Sequence, residues 1–230
     1  MASPSLLPSW ISGRWRHFQG RPRQGIEIAV ESVFLGTDYG GYAVIPSLLP
    51  ERPLAYSVGL GEDISFDLAL IAGHRARVHG FDPTPRSLAW LAQQTLPAEL
   101  TVHPYGVADF DGTARFIPPK DPSWVSHSLG SGDAPGAIEM PVKRLTTILS
   151  ELGHERVDLL KMDIEGAEYA VIEDLLKNVP LPKQLLLEYH HGMGDTPLVA
   201  TEQSLDRLRA AGYRVFDARE SGREFSLVLK

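Results

Sequence analysis

The chain has 230 residues, with 22 basic against 29 acidic side chains, a formal net charge of −7 and no cysteine. That balance argues against a nucleic-acid backbone as the main partner, and the missing thiols exclude disulfides, zinc–thiolate sites, iron–sulfur clusters and cysteine nucleophiles. No apolar run approaches about 18 residues, and the opening MASPSLLPSWISGRWR has no basic leader ahead of a long apolar stretch, so the expectation is a soluble, cytoplasmic chain without a membrane partner.

Residues 1–35 read as an N-terminal extension carrying Trp10, Trp15 and Phe18, and residues 36–230 as one domain. Within the extension, Ile26, Ile28 and Val30 alternate with Glu27, Ala29 and Glu31, which predicts a strand. The turn-rich segment 36–42 follows. Short apolar runs then alternate with helical stretches: strands over 54–58, 76–81, 100–105, 157–164 and 184–189, and helices over 64–72, 85–94, 145–152, 167–177 and 202–211. Asp63 is placed to cap the first helix. Residues 114–117 suggest an added edge strand, and 118–136 a long loop fit to cover a site. The chain closes on strands 213–218 and 225–229 around the hairpin 220–223. Strands alternating with helices imply a parallel sheet covered on both faces, with ligands beyond the carboxyl ends of its strands.

Those strand ends carry the chemistry. In Tyr56-Ser-Val-Gly-Leu-Gly-Glu-Asp63, Gly59 and Gly61 let a backbone turn approach a ligand closely. A dinucleotide site would want a third glycine where Ile64 stands, and Glu62 with Asp63 would repel a pyrophosphate. The acidic loop instead favours a cationic ligand such as S-adenosylmethionine, which offers an ammonium and a sulfonium. Asp82 follows Gly59 by 23 residues, near the roughly 20 expected for a carboxylate on a ribose diol. Asp109, or its backbone neighbours, is a candidate for an adenine edge. Lys161 and Asp163 share one strand face, and two charges in a parallel-sheet strand are costly unless paired or used. Glu165 and Glu168 open a helix, where a carboxylate also suits the dipole. In the next strand Glu188 and His190 share a face and Tyr189 and His191 the other; a histidine beside carboxylates is a candidate base or metal ligand. Trp124, His127 and His191 are candidate acceptor contacts.

Three segments resemble one family. VDLLKMDIEGAEYAVI (157–172) is similar to the signature of FkbM-type, class I S-adenosylmethionine-dependent methyltransferases; LLLEYHH (185–191) resembles their next strand and YSVGLGEDISFD (56–67) their cofactor loop. GTDYGGY (36–42) resembles the segment packed against the cofactor, which adds Tyr39 and Gly40 to the cofactor residues. The chain departs from many relatives at Ser57, where they carry an acid, and at Asp63, where they carry a third glycine. The resemblance implies a Rossmann-like α/β fold, a seven-stranded, mostly parallel sheet with a C-terminal antiparallel hairpin. It also implies methyl transfer to an oxygen of a sugar, polyketide or other small metabolite. It places Gly59, Gly61 and Asp82 on the cofactor, where Glu62 and Asp63 supply acids nearby, Asp163 near the methyl group, and Glu188 and His190 on the acceptor side. His190 is then the expected base, supported by Asp163 or Glu188; alternatively Asp163, Glu188 and His190 hold Mg²⁺. Two rivals are an NAD-dependent oxidoreductase and a non-catalytic methyltransferase-like binding module.

Overall fold

The computed structural model describes residues 16, 17, 20–117, 128, 129, 136–192 and 196–230. Trp10, Trp15, Phe18, Trp124, His127 and most of the expected covering loop lie outside the described residues.

Strands β1 (Val33–Leu35) and β2 (Tyr42–Val44) pair antiparallel. The body then runs β3 (Leu54–Val58), α1 (Ser65–His74), β4 (Arg77–Phe81), α2 (Pro85–Leu91) and β5 (Leu100–His103). Four short strands, β6 (Gly106–Val107), β7 (Gly112–Ile117), β8 (Ser128–Leu129) and β9 (Ile138–Lys143), form a separate sheet in the order β6-β9-β7-β8. The chain continues with α3 (Leu145–Leu152), β10 (Leu159–Met162), α4 (Glu168–Asn178), β11 (Gln184–Glu188), α5 (Leu198–Ala210), β12 (Tyr213–Ala218) and β13 (Glu224–Leu229).

The main sheet has seven strands in the order β12-β13-β11-β10-β3-β4-β5. All pairs are parallel except those of β13, which inserts antiparallel between β11 and β12. The order reverses between β3 and β10, so their carboxyl ends border the crevice where such sheets bind ligands. Both faces are covered because side chains of each strand alternate between two apolar layers. Tyr56, Leu160, Met162, Leu185 and Leu187 pack toward one layer, and Ala55, Leu159 and Leu186 pack with Phe66 and Leu70 of α1 on the other.

Two expectations are corrected. Residues 26–30 form no strand: the backbone N–H groups of Glu27 and Ile28 both reach the single carbonyl of Val215, at 2.8 and 3.2 Å. A ladder needs a partner on every second residue, and β12 is irregular between Val215 and Asp217. Ile26 and Val30 are consequently exposed while Ile28 packs toward Phe216 and Val228. The second correction is the small sheet, of which the sequence suggested only one strand. Its core is Ala108, Ala114, Phe116, Met140 and Val142, so the alternation of Ile138, Met140 and Val142 was the unread signal.

Candidate active site

The glycine loop is shaped by what surrounds it. Leaving β3, Gly59 adopts φ +79° and Gly61 φ +56°, both in the left-handed region. A Cβ on Gly59 would lie 1.8 Å from the carbonyl oxygen of Asp163, so the loop runs directly against the end of β10. Gly59 N–H donates to Phe81 O at 2.9 Å, and the Lys161 ammonium donates to Gly59 O at 2.9 Å. Lys161, a candidate for catalysis on sequence grounds, is therefore bonded beneath the loop and 4% exposed.

Asp82 is also tied to this loop. Its Oδ2 accepts Leu60 N–H and Gly61 N–H at 3.1 and 2.9 Å, and its Oδ1 accepts the Thr84 N–H and hydroxyl at 2.8 and 2.6 Å. Its carboxylate, expected on a ribose, is thus occupied by the protein's own donors. Asp82→Ala is expected to weaken S-adenosylmethionine binding by about 1–3 kcal/mol, because two loop N–H groups lose their buried acceptor. Calorimetry checks this; unchanged affinity would show that the loop holds its shape without the carboxylate.

The loop opens on a cavity of about 650 Å³ at the strand ends. Its lining includes Tyr39, Gly40, Gly59, Gly61, Glu62, Asp63, Asp82, Lys161, Asp163, Glu188 and His190 from the sequence-derived set. The turn bearing Tyr39 is clipped to Asp63. Thr37 Oγ1 donates to Asp63 Oδ2 at 2.5 Å, Gly40 N–H donates to Thr37 Oγ1, and Ser65 N–H donates to Asp63 Oδ1. Burial opposes ionisation of Asp63, but these hydrogen bonds and the charge of Lys161 hold its carboxyl below the usual range. Asp63 thus caps α1 from one residue before its N-cap, Ile64. Glu62 lines the rim with its carboxylate held by Arg86 at 2.8 and 3.1 Å.

The cavity floor gathers acids around one histidine. His190 is 4% exposed; its Nδ1 lies 2.5 Å from Glu168 Oε1, and its Nε2 faces Asp163 and Glu165 at 3.5 Å and Glu188 at 3.9 Å. Burial alone would lower the His190 pKa, yet the hydrogen bond to Glu168 and the surrounding carboxylates raise it to about 9. Burial, then repulsion from Asp163, pushes Glu188 up, and burial pushes Asp163 up against the pull of Lys161 and His190. Glu188 also stands opposite Glu224 in the β11–β13 ladder. Like charges in register cost stability, so this floor is built at an expense that a cationic ligand would offset. Among the described residues, Asp163, Glu165 and His190 each offer a ligand atom within 4.8 Å of the others. Glu165 rather than Glu188 therefore completes the tightest potential cation set.

Two residues were missed by sequence reasoning. Glu168 is fully buried and, not Asp163 or Glu188, is the acid that orients His190; its other oxygen accepts Gly166 N–H at 2.6 Å. It sits in the first turn of α4, where a helix-dipole role was sufficient explanation. Glu165 has φ 53°, uncommon for a side-chain-bearing residue, and sits on the cavity wall. Two candidates fall outside the cavity lining. Asp109 is exposed; Gly106 and Val107 line that side, while Asp111 turns to the start of α3. His191 is buried on the opposite sheet face, 3.1 Å from Thr201 Oγ1, as the strand alternation requires.

A family model described as methyltransferase FkbM domain matches residues 54–215. A human protein named "Probable methyltransferase-like protein 24" is 31% identical over 137 residues, 59% of this chain and 32% of that protein. Its rat counterpart is 32% identical over the same length. The chain thus spans about a third of the length of the curated relatives it matches. Of the solved structures, a methyltransferase FkbM from Methylobacillus flagellatus KT is 16% identical, with a TM-score of 0.48 over 78% of this chain and 44% of its own. Aeropyrum pernix fibrillarin, solved with natively bound S-adenosyl-L-methionine, is 12% identical, with a TM-score of 0.43 over 88% and 83%.

Proposed function

This chain belongs to the FkbM methyltransferase domain family, and on that premise we propose that it methylates a hydroxyl oxygen of a small metabolite, such as a sugar or polyketide, from S-adenosylmethionine. The observation that carries the reading is the floor of the cavity: His190, oriented at Nδ1 by the buried Glu168, turns Nε2 toward Asp163, Glu165 and Glu188, which line the same cavity. The donor set suits the cofactor. Asp63, Asp163, Glu165 and Glu188 line one cavity with no arginine among its described lining residues, a field that attracts an ammonium and a sulfonium and disfavours a pyrophosphate. When bound, S-adenosylmethionine supplies an electrophilic methyl group.

The chain's own residues then account for the rest. The glycine loop, held by Asp82 and Lys161, orients the ligand, and alignment of nucleophile and methyl within the cavity provides much of the acceleration. A hydroxyl is a weak nucleophile at neutral pH. Neutral His190 takes its proton at Nε2 as the oxygen attacks, and Glu168 stabilises the imidazolium formed. The exposed Tyr39, at the mouth of the cavity, offers a ring to an acceptor. Residues 1–35 are assigned to an extension ahead of a domain over 36–230, and its Arg23 and Gln24 bond to Glu202 of α5.

The test is calorimetry with S-adenosylmethionine, S-adenosylhomocysteine and NADH, followed by incubation of labelled S-adenosylmethionine with the producing cell's metabolite extract. Binding of the first two with label appearing on an oxygen of a small molecule is expected. Tight NADH binding with no S-adenosylmethionine binding would overturn the reading in favour of an oxidoreductase. Cofactor binding without transfer to any acceptor would mark a binding module.

A further inference from the structure

Beneath the glycine loop lies a buried acid that the methyl-transfer reading does not use. Asp67, in the first turn of α1, is 0% exposed, and neither of its carboxylate oxygens has a hydrogen-bond partner. Its helix packs on the sheet face formed by Ala55 and Leu159. Two residues further along the same strands, and on the same face, are Ser57 and Lys161, paired in the β3–β10 register. Both are buried, and Ser57 Oγ also lacks a partner.

A buried ammonium needs a carboxylate. Three acids feel the charge of Lys161: Asp63, Asp67 and Asp163. Asp63 is engaged by Thr37 and Ser65, and Asp163 faces His190. Asp67 is the one of the three that is fully buried, and it has no partner at hydrogen-bond distance. The ammonium itself is anchored to Gly59 O and stands 5.9 Å from the centre of the Tyr42 ring.

We propose that Asp67 and Lys161 form the positioning pair of the cofactor loop, Asp67 holding the ammonium in place and the ammonium fixing the Gly59 carbonyl at the base of the cavity. The loop is fastened from two sides, by Asp82 through the N–H groups of Leu60 and Gly61 and by Lys161 through the carbonyl of Gly59. Lys161 is thereby a positioning residue that acts through the backbone. Burial favours the protonated form of Asp67 and Lys161 favours the ionised one, so removal of the lysine would leave a neutral acid in the core.

The inference rests on the cofactor reading above, and the two fail separately. If the wild-type chain binds no S-adenosylmethionine, the function is wrong; if it binds and the variants below behave otherwise, only the pair is wrong. Calorimetric affinity for S-adenosylmethionine and melting temperature are measured for Asp67→Asn, Lys161→Met, the double variant, and Asp67→Asn combined with Ser57→Asp. Each single change is expected to weaken binding about tenfold or more, the order of one lost charge-assisted contact. The double variant should bind no worse than Lys161→Met alone, since both act on one carbonyl. Ser57→Asp should restore affinity in the Asp67→Asn background by returning a carboxylate beside the ammonium. Additive losses, or unchanged affinity in Asp67→Asn, would overturn the proposal. If Asp67→Asn does not fold and Ser57→Asp does not rescue it, Asp67 serves the core alone and the proposal also falls.

Discussion

His190→Ala is expected to lower turnover by about 10²–10⁴-fold, the usual contribution of a positioned base, while affinity for S-adenosylmethionine stays nearly constant. The separation follows from the geometry. On the proposed reading affinity comes from the loop held by Asp82 and Lys161, whereas His190 is anchored to Glu168 of α4 and not to the loop. If affinity fell as steeply as turnover, His190 would be a binding residue and not the base. The pH profile gives an independent reading. With its pKa raised to about 9, His190 is protonated at pH 7 in the free protein and must lose that proton to accept another. The rate at low substrate should therefore climb from pH 7 through about 9 and then level, and the climb should vanish in the alanine variant. Glu168→Gln removes the strongest raising contact, so its climb should begin at lower pH, with reduced maximal turnover. Stability runs the other way. A folded value above the ordinary 6.5 means that the contribution from His190 is complete below pH 6.5 and fades as pH rises through about 9.

Gly59→Ala is expected to abolish cofactor binding at millimolar concentrations and to lower the melting temperature markedly. The added Cβ would meet the carbonyl oxygen of Asp163 at 1.8 Å, with its carbon at 2.9 Å, and backbone at a sheet end has no rotamer by which to move aside. The positive φ adds a left-handed penalty of roughly 1–2 kcal/mol. Gly61→Ala is the control. It carries the same kind of φ, +56°, with nothing within 4 Å of the new methyl group, so it should cost only about that strain and retain binding. Calorimetry and thermal unfolding on the two variants separate collision from strain; equal behaviour would show that the approach to Asp163 does not limit the loop.

Much of this was legible along the chain because period-two and period-3.6 patterns are local. The apolar runs at 54–58 and 213–218 and the helix at 145–152 coincide with β3, β12 and α3, the run at 184–189 overshoots β11 by one residue, and the hairpin around 220–223 predicted the antiparallel insertion of β13. The same alternation that puts Glu188 and His190 on one face turned His191 to the other, and the structure has it there, bonded to Thr201. Gly59, Asp163 and His190 were legible too, as chemistry stranded at strand ends, where a parallel sheet tolerates charge only if something uses it.

What the sequence by itself determined is therefore the sheet, its class and the approximate list of residues at its mouth, all properties of spacing within single segments. Only the tertiary structure decided how those residues share their hydrogen bonds. Asp82 accepts from Leu60, Gly61 and Thr84, Lys161 is bonded to Gly59 beneath the loop, and Glu168, which a helix dipole explained well enough, is the partner of His190. It also left Asp109 in solvent and brought Asp67 of α1 into the same buried layer as Lys161. Apart from the local bond between Asp82 and Thr84, each of these pairings joins residues distant in sequence, and nothing in local periodicity states which carboxylate a given donor will meet. That choice belongs to packing, because a buried donor or acceptor must be satisfied by whatever the fold brings to it.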